Sequence, residues 1–326
     1  MTRLGARLAG ALAVTLAAAL TACGSTTAGG SSGGETTYRV GITQIVSHPS
    51  LDAAREGFKR ALTDAGVKVT YDEQNAQGDQ ATATSIAAKF GSAKLDLVLA
   101  IATPTAQASA QAITKTPILF TAVTDPVAAK LVASNEAPGS NITGTTDLNP
   151  VAEQIALIKK IKPSATSVGI LYSSGEVNSQ VQADAAKKAA QEQGLTVVEK
   201  TVTATGEVGQ AAAALGTDAV YVPTDNTVVS GLASVVQVCE QKKLPLVVGE
   251  GDSVAKGGAI TYGIDYSQLG YQTGQMAVRI LTQQAKPATM PVEKQKDLKV
   301  YVNQAAAQRM GLTLPDALLE GAEVVG

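Results

Sequence analysis

Tryptophan is absent from this 326-residue sequence, phenylalanine occurs three times, histidine once and cysteine twice. Each scarcity closes off a class of function. So few aromatic rings, together with a formal net charge of −2 and no basic block, argue against nucleic-acid binding by base stacking or counterion release. The single His48 cannot build a multi-histidine metal centre, and neither an H-E-x-x-H nor a Walker sequence occurs. Cys239 sits in the apolar pattern SGLASVVQVCEQ and reads as a buried small hydrophobe. No metal, no cofactor and no enzymatic turnover are expected, because an α/β enzyme would need a nucleophile paired with a base, or a metal triad.

What is present begins at the N-terminus. MTRLGARLAGALAVTLAAALTACGS opens with Arg3 and Arg7 and continues as an apolar run from Leu8 to Leu20, too short to span a bilayer comfortably. Small residues then precede a cysteine in Leu20-Thr21-Ala22-Cys23. This order marks an export signal over residues 1–22 and resembles the bacterial lipobox, which implies lipidation of Cys23 and residence on the extracytoplasmic face of the cell membrane. Residues 23–37 are rich in Gly, Ser and Thr and read as a lipid-anchored flexible tether.

The roughly 290 residues that remain exceed the size at which one hydrophobic core usually stops growing, so two domains are expected. Strand-like runs such as YRVGITQ, LDLVLAIAT and PILFTAV alternate with helical patterns over 50–65, 79–93, 104–113 and, more briefly, 126–133. The alternation restarts after the amphipathic segment VAEQIALIKKIKPSA, with helices over 179–193, 208–215 and 226–242, and ends in a helix over 267–284 and a strand near 298–302. These patterns predict an α/β fold: two Rossmann-like parallel-sheet lobes joined by about three hinge crossings, with a ligand crevice at the strand carboxyl ends. The expected N-terminal lobe is 38–147 plus 267–285, and the C-terminal lobe 148–266 plus 286–326. The crossings are placed near 146–149, 263–266 and 286–293.

Several strand-end blocks carry a family likeness: GITQIVSHPSLDAAREGF, DLVLAIATPTAQ, FTAVTDPVAA, SNITGTTD, LYSSGEVNS, YVPTDNTVVS and YGIDYSQLGYQTG. In these the chain resembles the tryptophan/tyrosine class of ABC-transporter substrate-binding lipoproteins. The resemblance implies a type I periplasmic-binding fold, an import role beside a membrane permease, and an aromatic amino acid as the first-choice ligand.

An amino-acid ligand needs N–H or O–H donors, an acidic acceptor and an apolar wall. Thr103 and Thr105, on either side of Pro104 at a strand-to-helix turn, suit a carboxylate, though Thr103 as a plain helix cap is the competing reading. Asp225, followed by Asn226, is the leading acceptor for an ammonium, against the same capping alternative. Its replacement by alanine is expected to abolish or strongly weaken binding of an amino acid while leaving thermal unfolding of the ligand-free protein nearly unchanged. Gln44, Ser47 and His48 follow the first strand, and Thr121 and Thr124 flank the fourth. Tyr172, Glu176 and Asn178 line the first loop of the second half, and Glu250 follows a later strand. With rings so scarce, Ile45, Val46, Pro104 and Tyr172 are the candidate walls for an aromatic side chain.

The resulting expectation is a lipid-anchored, monomeric solute-binding protein that closes about a hinge on a small molecule and delivers it to an ABC permease. The alternatives are the same fold binding another amino acid, a nucleoside or a sugar, or acting as a ligand sensor for a signalling partner.

Overall fold

The computed structural model describes residues 36–326, so the export signal and Cys23 lie outside the described residues. The first half runs β1 (Thr37–Gln44), α1 (Pro49–Asp64), β2 (Lys68–Asn75), α2 (Gln80–Ser92), β3 (Leu97–Ile101), α3 (Thr103–Ala112), β4 (Ile118–Val123) and β5 (Ile142–Thr146). The second half runs α4 (Val151–Ile161), β6 (Ser167–Ser173), α5 (Val177–Glu192), β7 (Thr196–Val202), α6 (Val208–Ala213), β8 (Ala219–Val222), α7 (Asn226–Ser230), α8 (Leu232–Lys242), β9 (Leu246–Val248), α9 (Gly251–Ala255) and β10 (Ile260–Gly263). The long helix α10 (Tyr266–Gln283), β11 (Glu293–Lys294), β12 (Lys299–Val302), α11 (Gln304–Arg309), α12 (Asp316–Leu319) and β13 (Glu323–Val324) complete the chain.

Two sheets result, one in the order β11-β5-β4-β3-β1-β2 and the other β13-β12-β10-β9-β8-β6-β7. Strands β3 and β4 are buried at every position and apolar nearly throughout, as befits central parallel strands covered on both faces. The edge strands β2 and β7 carry the polar residues KVTYDEQN and TVVEKTV, which suit one solvated face. Each sheet has its own apolar core: Phe58, Phe90 and Phe120 belong to the first, and Tyr221, Val235 and Cys239 to the second. All pairings are parallel except β10 with β12. That exception arises because the chain reaches β12 from the other lobe rather than through a covering helix.

Three features depart from the sequence reading. Residues 126–133 form turns and no helix, since Lys130 adopts φ 58° one turn after Pro126 and stops propagation. The helical pattern over 226–242 is broken at Gly231, where Val208 packs within 3.1 Å of where a Cβ would stand. Strand β11 pairs with β5, so this segment adds to the first sheet, where the sequence reading had assigned 286–326 to the second lobe. The third crossing accordingly falls at 295–298, after β11.

The crossings are stitched to one another. Ile264 N–H donates to Asn149 Oδ1 at 3.3 Å, and Asp265 and Gln295 exchange reciprocal bonds at 3.1 and 2.6 Å. Helices α1 and α10 pack backbone to backbone, because a Cβ at Gly57 would collide with the Ser267 carbonyl and one at Gly270 with the Ala54 carbonyl. This contact ties the start of α1 to the second crossing. Gly270→Ala is therefore expected to cost about 2 kcal/mol or more in urea unfolding, as overpacking against backbone does. Gly206→Ala, with open space around the added methyl, should stay within about 0.5 kcal/mol. Equal midpoints for the two variants would contradict the tight crossing.

Candidate functional site

The carboxyl ends of the strands from both sheets meet around one small cavity. His48, Ser50 and Leu51 enter from the start of α1, Ala122 and Thr124 from the end of β4, and Asp147 from the first crossing. The second lobe supplies Asn178 from α5, Thr224, Asp225, Asn226 and Val229 around the start of α7, and Glu250 before α9. This is where parallel α/β sheets place ligands. The enclosed volume is about 20 Å³, enough for a water molecule and far below the ~300 Å³ or more of a small-molecule pocket. A second space of about 280 Å³ adjoins it along His48, Ser50 and Val229, with Pro49, Leu232 and Ala233 among its walls.

Three carboxylates face the cavity almost fully buried: Asp147 at 4% exposure, Asp225 at 2% and Glu250 at 1%. No lysine or arginine is among the described lining residues. Asp225 caps α7, accepting from Val228 N–H at 2.7 Å and from Ser173 N–H at 2.5 Å. Glu250 caps α9 through Ser253 N–H at 3.0 Å. Asp147 accepts from Thr124 Oγ1 at 3.0 Å and Tyr266 Oη at 2.6 Å. Burial, and then the neighbouring Glu176 carboxylate, push Asp225 well above the usual carboxylate range. Burial and then Asp252 push Glu250 up to about 7, and burial raises Asp147 despite its two donors. Burial lowers His48 to about 4, against the pull of Asn226 and Asp52, so its ring is neutral at physiological pH. Its Nδ1 has no hydrogen-bond partner.

The first-lobe wall supplies what the carboxylates lack. The N–H groups of Ser50 and Leu51 lie in the first turn of α1, where no carbonyl stands one turn back, and His48 contributes no side-chain cap. Ala122 takes φ 56° at the end of β4, where the β4–β5 register shifts, and Ala102 takes φ 82° at the end of β3. Left-handed alanines cost of order 1 kcal/mol each and concentrate where function dictates backbone shape.

Of the residues singled out from sequence, His48, Thr124, Asn178, Asp225, Asn226 and Glu250 line the cavity. For Asp225 and Glu250, capping and facing the cleft coexist, so removing Asp225 also strips two backbone bonds and will not leave unfolding unchanged. The others stand back from it. Gln44 Nε2 and Ser47 Oγ both bond Asp52, at 2.8 and 2.7 Å, and shape the β1–α1 loop. Thr105 Oγ1 donates to Ile101 O at 2.6 Å, and Thr121 Oγ1 contacts Thr145 Oγ1 at 3.2 Å under α10. Thr103 Oγ1 is buried without a partner. Glu176 receives Asn178, Asn226 and Thr227 and organises that wall from behind. Tyr172 turns outward to Glu199 at 2.9 Å, so it forms no wall of this cavity. Ser50, Leu51, Asp147 and Thr224 were missed. Ser50 and Leu51 were hidden inside the helical pattern, and Asp147 was assigned only to a crossing.

Comparisons with known proteins point one way. The family model described as ABC transporter substrate binding protein matches residues 39–325. A tyrosine-binding protein of Clostridioides difficile (strain R20291) is 42% identical over 271 residues, covering 81% of this chain and 78% of that protein. The structure of an ABC domain in complex with L-Trp from Streptococcus pneumoniae superposes with TM-score 0.86 at 37% identity, over 89% of this chain and all of that one. The ligand-free, open structure of a Clostridium difficile substrate-binding protein with adhesive properties gives TM-score 0.68 at 44% identity, over 88% and 99%.

The buried carboxylates leave a mark on stability. Glu250 keeps its proton up to about pH 7 in the folded state, whereas the unfolded chain releases it near 4.5. The folded state therefore loses stability relative to the unfolded one as pH rises through that window. Glu250→Gln, which removes this charge, should gain stability over the unsubstituted protein between pH 5 and 7.5 in urea titrations. A difference that stays constant with pH would contradict the assignment.

Proposed function

This chain belongs to the family of ABC transporter substrate-binding proteins, and we propose that within it the chain is a lipoprotein receptor for tryptophan or tyrosine. The family is one of solute carriers with the type I periplasmic-binding fold, not of enzymes.

One observation carries the ligand class: three buried carboxylates with no cationic side chain face, across one cavity, the open N–H groups of a helix start. A zwitterion complements both. Its ammonium meets Asp147, Asp225 and Glu250, and its carboxylate meets Ser50 and Leu51 N–H, where the positive end of the sixteen-residue helix α1 favours an anion. The adjoining 280 Å³ space brings Pro49, Val229, Leu232 and Ala233 to an aromatic side chain, with Asp252, Ser253 and Lys256 also on its wall. Tryptophan and tyrosine come first because a relative 42% identical is a tyrosine-binding protein and one 37% identical was solved with L-Trp.

Lobe closure is the mechanism we propose. This chain superposes better on the L-Trp complex than on the open form, although it is more identical to the latter, which supports a closed arrangement. A 20 Å³ cavity admits no amino acid, so entry takes opening about the three crossings, and the lobes then close on the solute with their walls farther apart than they stand in this arrangement. The closed lobes would then present one surface to a membrane permease. Lipidation of Cys23, as its lipobox-like setting implies, would hold the protein beside that permease.

Calorimetry and thermal shift of residues 37–326 against the amino acids, nucleosides and common sugars test this reading. Tryptophan or tyrosine should raise the melting temperature, by the equivalent of about 2.7 kcal/mol at a hundredfold excess over Kd. Small-angle scattering should show a smaller radius of gyration with the ligand. A nucleoside or sugar as the sole stabilising solute would overturn the assignment.

A further inference from the structure

We infer that Asn178 restricts this site to ligands carrying a primary ammonium. The inference rests on the reading that the cavity holds an amine-bearing solute, and deepens it.

On the second-lobe wall each side-chain donor group already has an acceptor within the protein. Thr224 Oγ1 donates to Gln182 Oε1 at 2.7 Å, and Asn226 Nδ2 donates to Glu176. Asn178 Nδ2 donates to Glu176 Oε2 at 3.1 Å and reaches Thr224 O at 3.4 Å. What this wall chiefly offers a ligand is therefore acceptors: the carboxylates of Asp225 and Glu250, and Asn178 Oδ1. The carboxylates have backbone donors. Asn178 Oδ1 has none, although the residue is only 5% exposed and lines the cavity.

The orientation of this amide is dictated by its partners. A carboxylate and a carbonyl both accept, so rotating the amide would set oxygen against oxygen on both sides. Asn178 is the second residue of the sixteen-residue helix α5, which holds its backbone. A buried acceptor without a donor is an unmet desolvation cost, and a ligand N–H relieves it.

A primary ammonium has three N–H groups to divide among Asp225, Glu250, Asn178 Oδ1 and, from the first crossing, Asp147. N-methylation removes one and sets a methyl against the Asn178 oxygen. A neutral hydroxyl brings a single hydrogen and directs lone pairs at carboxylates. Asn178 thus acts on the identity of the head group, beyond the charge attraction that Asp225 and Glu250 exert on any cation.

Calorimetry with L-tryptophan and Nα-methyl-L-tryptophan tests the inference, repeated with L-tyrosine and its N-methyl form. The unsubstituted protein should prefer the primary amine by a hundredfold or more. In Asn178→Ala the primary amine should bind about tenfold more weakly, and the preference should fall below tenfold because the methyl gains room. Melting curves check folding, and Asn178→Ser replaces the alanine variant should that fail to fold. A preference unchanged in the variant overturns the inference and leaves the proposed function standing. If neither amino acid binds but tryptamine is preferred over N-methyltryptamine, and Asn178→Ala erases that preference, the inference holds and the proposed ligand class falls. Absence of binding by all of these solutes overturns both.

Discussion

Burying carboxylates without a counter-charge is the constraint around which the rest of this molecule is arranged. Asp147, Asp225 and Glu250 are each less than 5% exposed, and no lysine or arginine is among the described residues lining their cavity. Isolated charges in such a place are strongly disfavoured. Two devices make them tolerable. Helix starts supply N–H groups to Asp225 and Glu250, and hydroxyls from Thr124 and Tyr266 hold Asp147. What these bonds leave unmet is attraction for a positive group from outside, the feature on which the proposed amine-bearing ligand rests.

Much of this was legible in the sequence because parallel α/β chains put function at strand ends. The β-branched runs, the Gly/Pro/Asp loops after them and the restart after residue 150 specify two doubly wound sheets. Asp225, Glu250 and Asn178 could be singled out because each sits one to five residues after such a run. Position along the chain does not tell which way a side chain turns, however. Tyr172 follows the same rule and yet faces Glu199, since alternation along β6 sends neighbouring residues to opposite faces. Gln44 and Ser47 are captured by Asp52, a partner inside the next helix that local pattern does not reveal.

Illegible for a different reason were the features that depend on distant backbone. Strand β11 is two residues long, too short for any periodicity, and it exists because β5 offers a free edge. Ser50 and Leu51 looked like ordinary members of an amphipathic helix, and their importance comes from where α1 begins relative to the other lobe. The site of α1 is set in turn by α10, whose Gly270 admits the Ala54 carbonyl. A glycine more than two hundred residues away in sequence thus helps set the depth at which the first-lobe wall stands.

The three stitched crossings carry a kinematic consequence. A single connecting strand would let one lobe swivel freely against the other, so each encounter of the two halves would present a different alignment. Three connections, locked laterally by Asn149 with Ile264 and by Asp265 with Gln295, suppress torsion and leave bending as the soft coordinate. Under the proposed closure the halves would shut like a book whose pages always meet on the same line. That repeatability would let an amide oxygen on one page be matched to a helix start on the other.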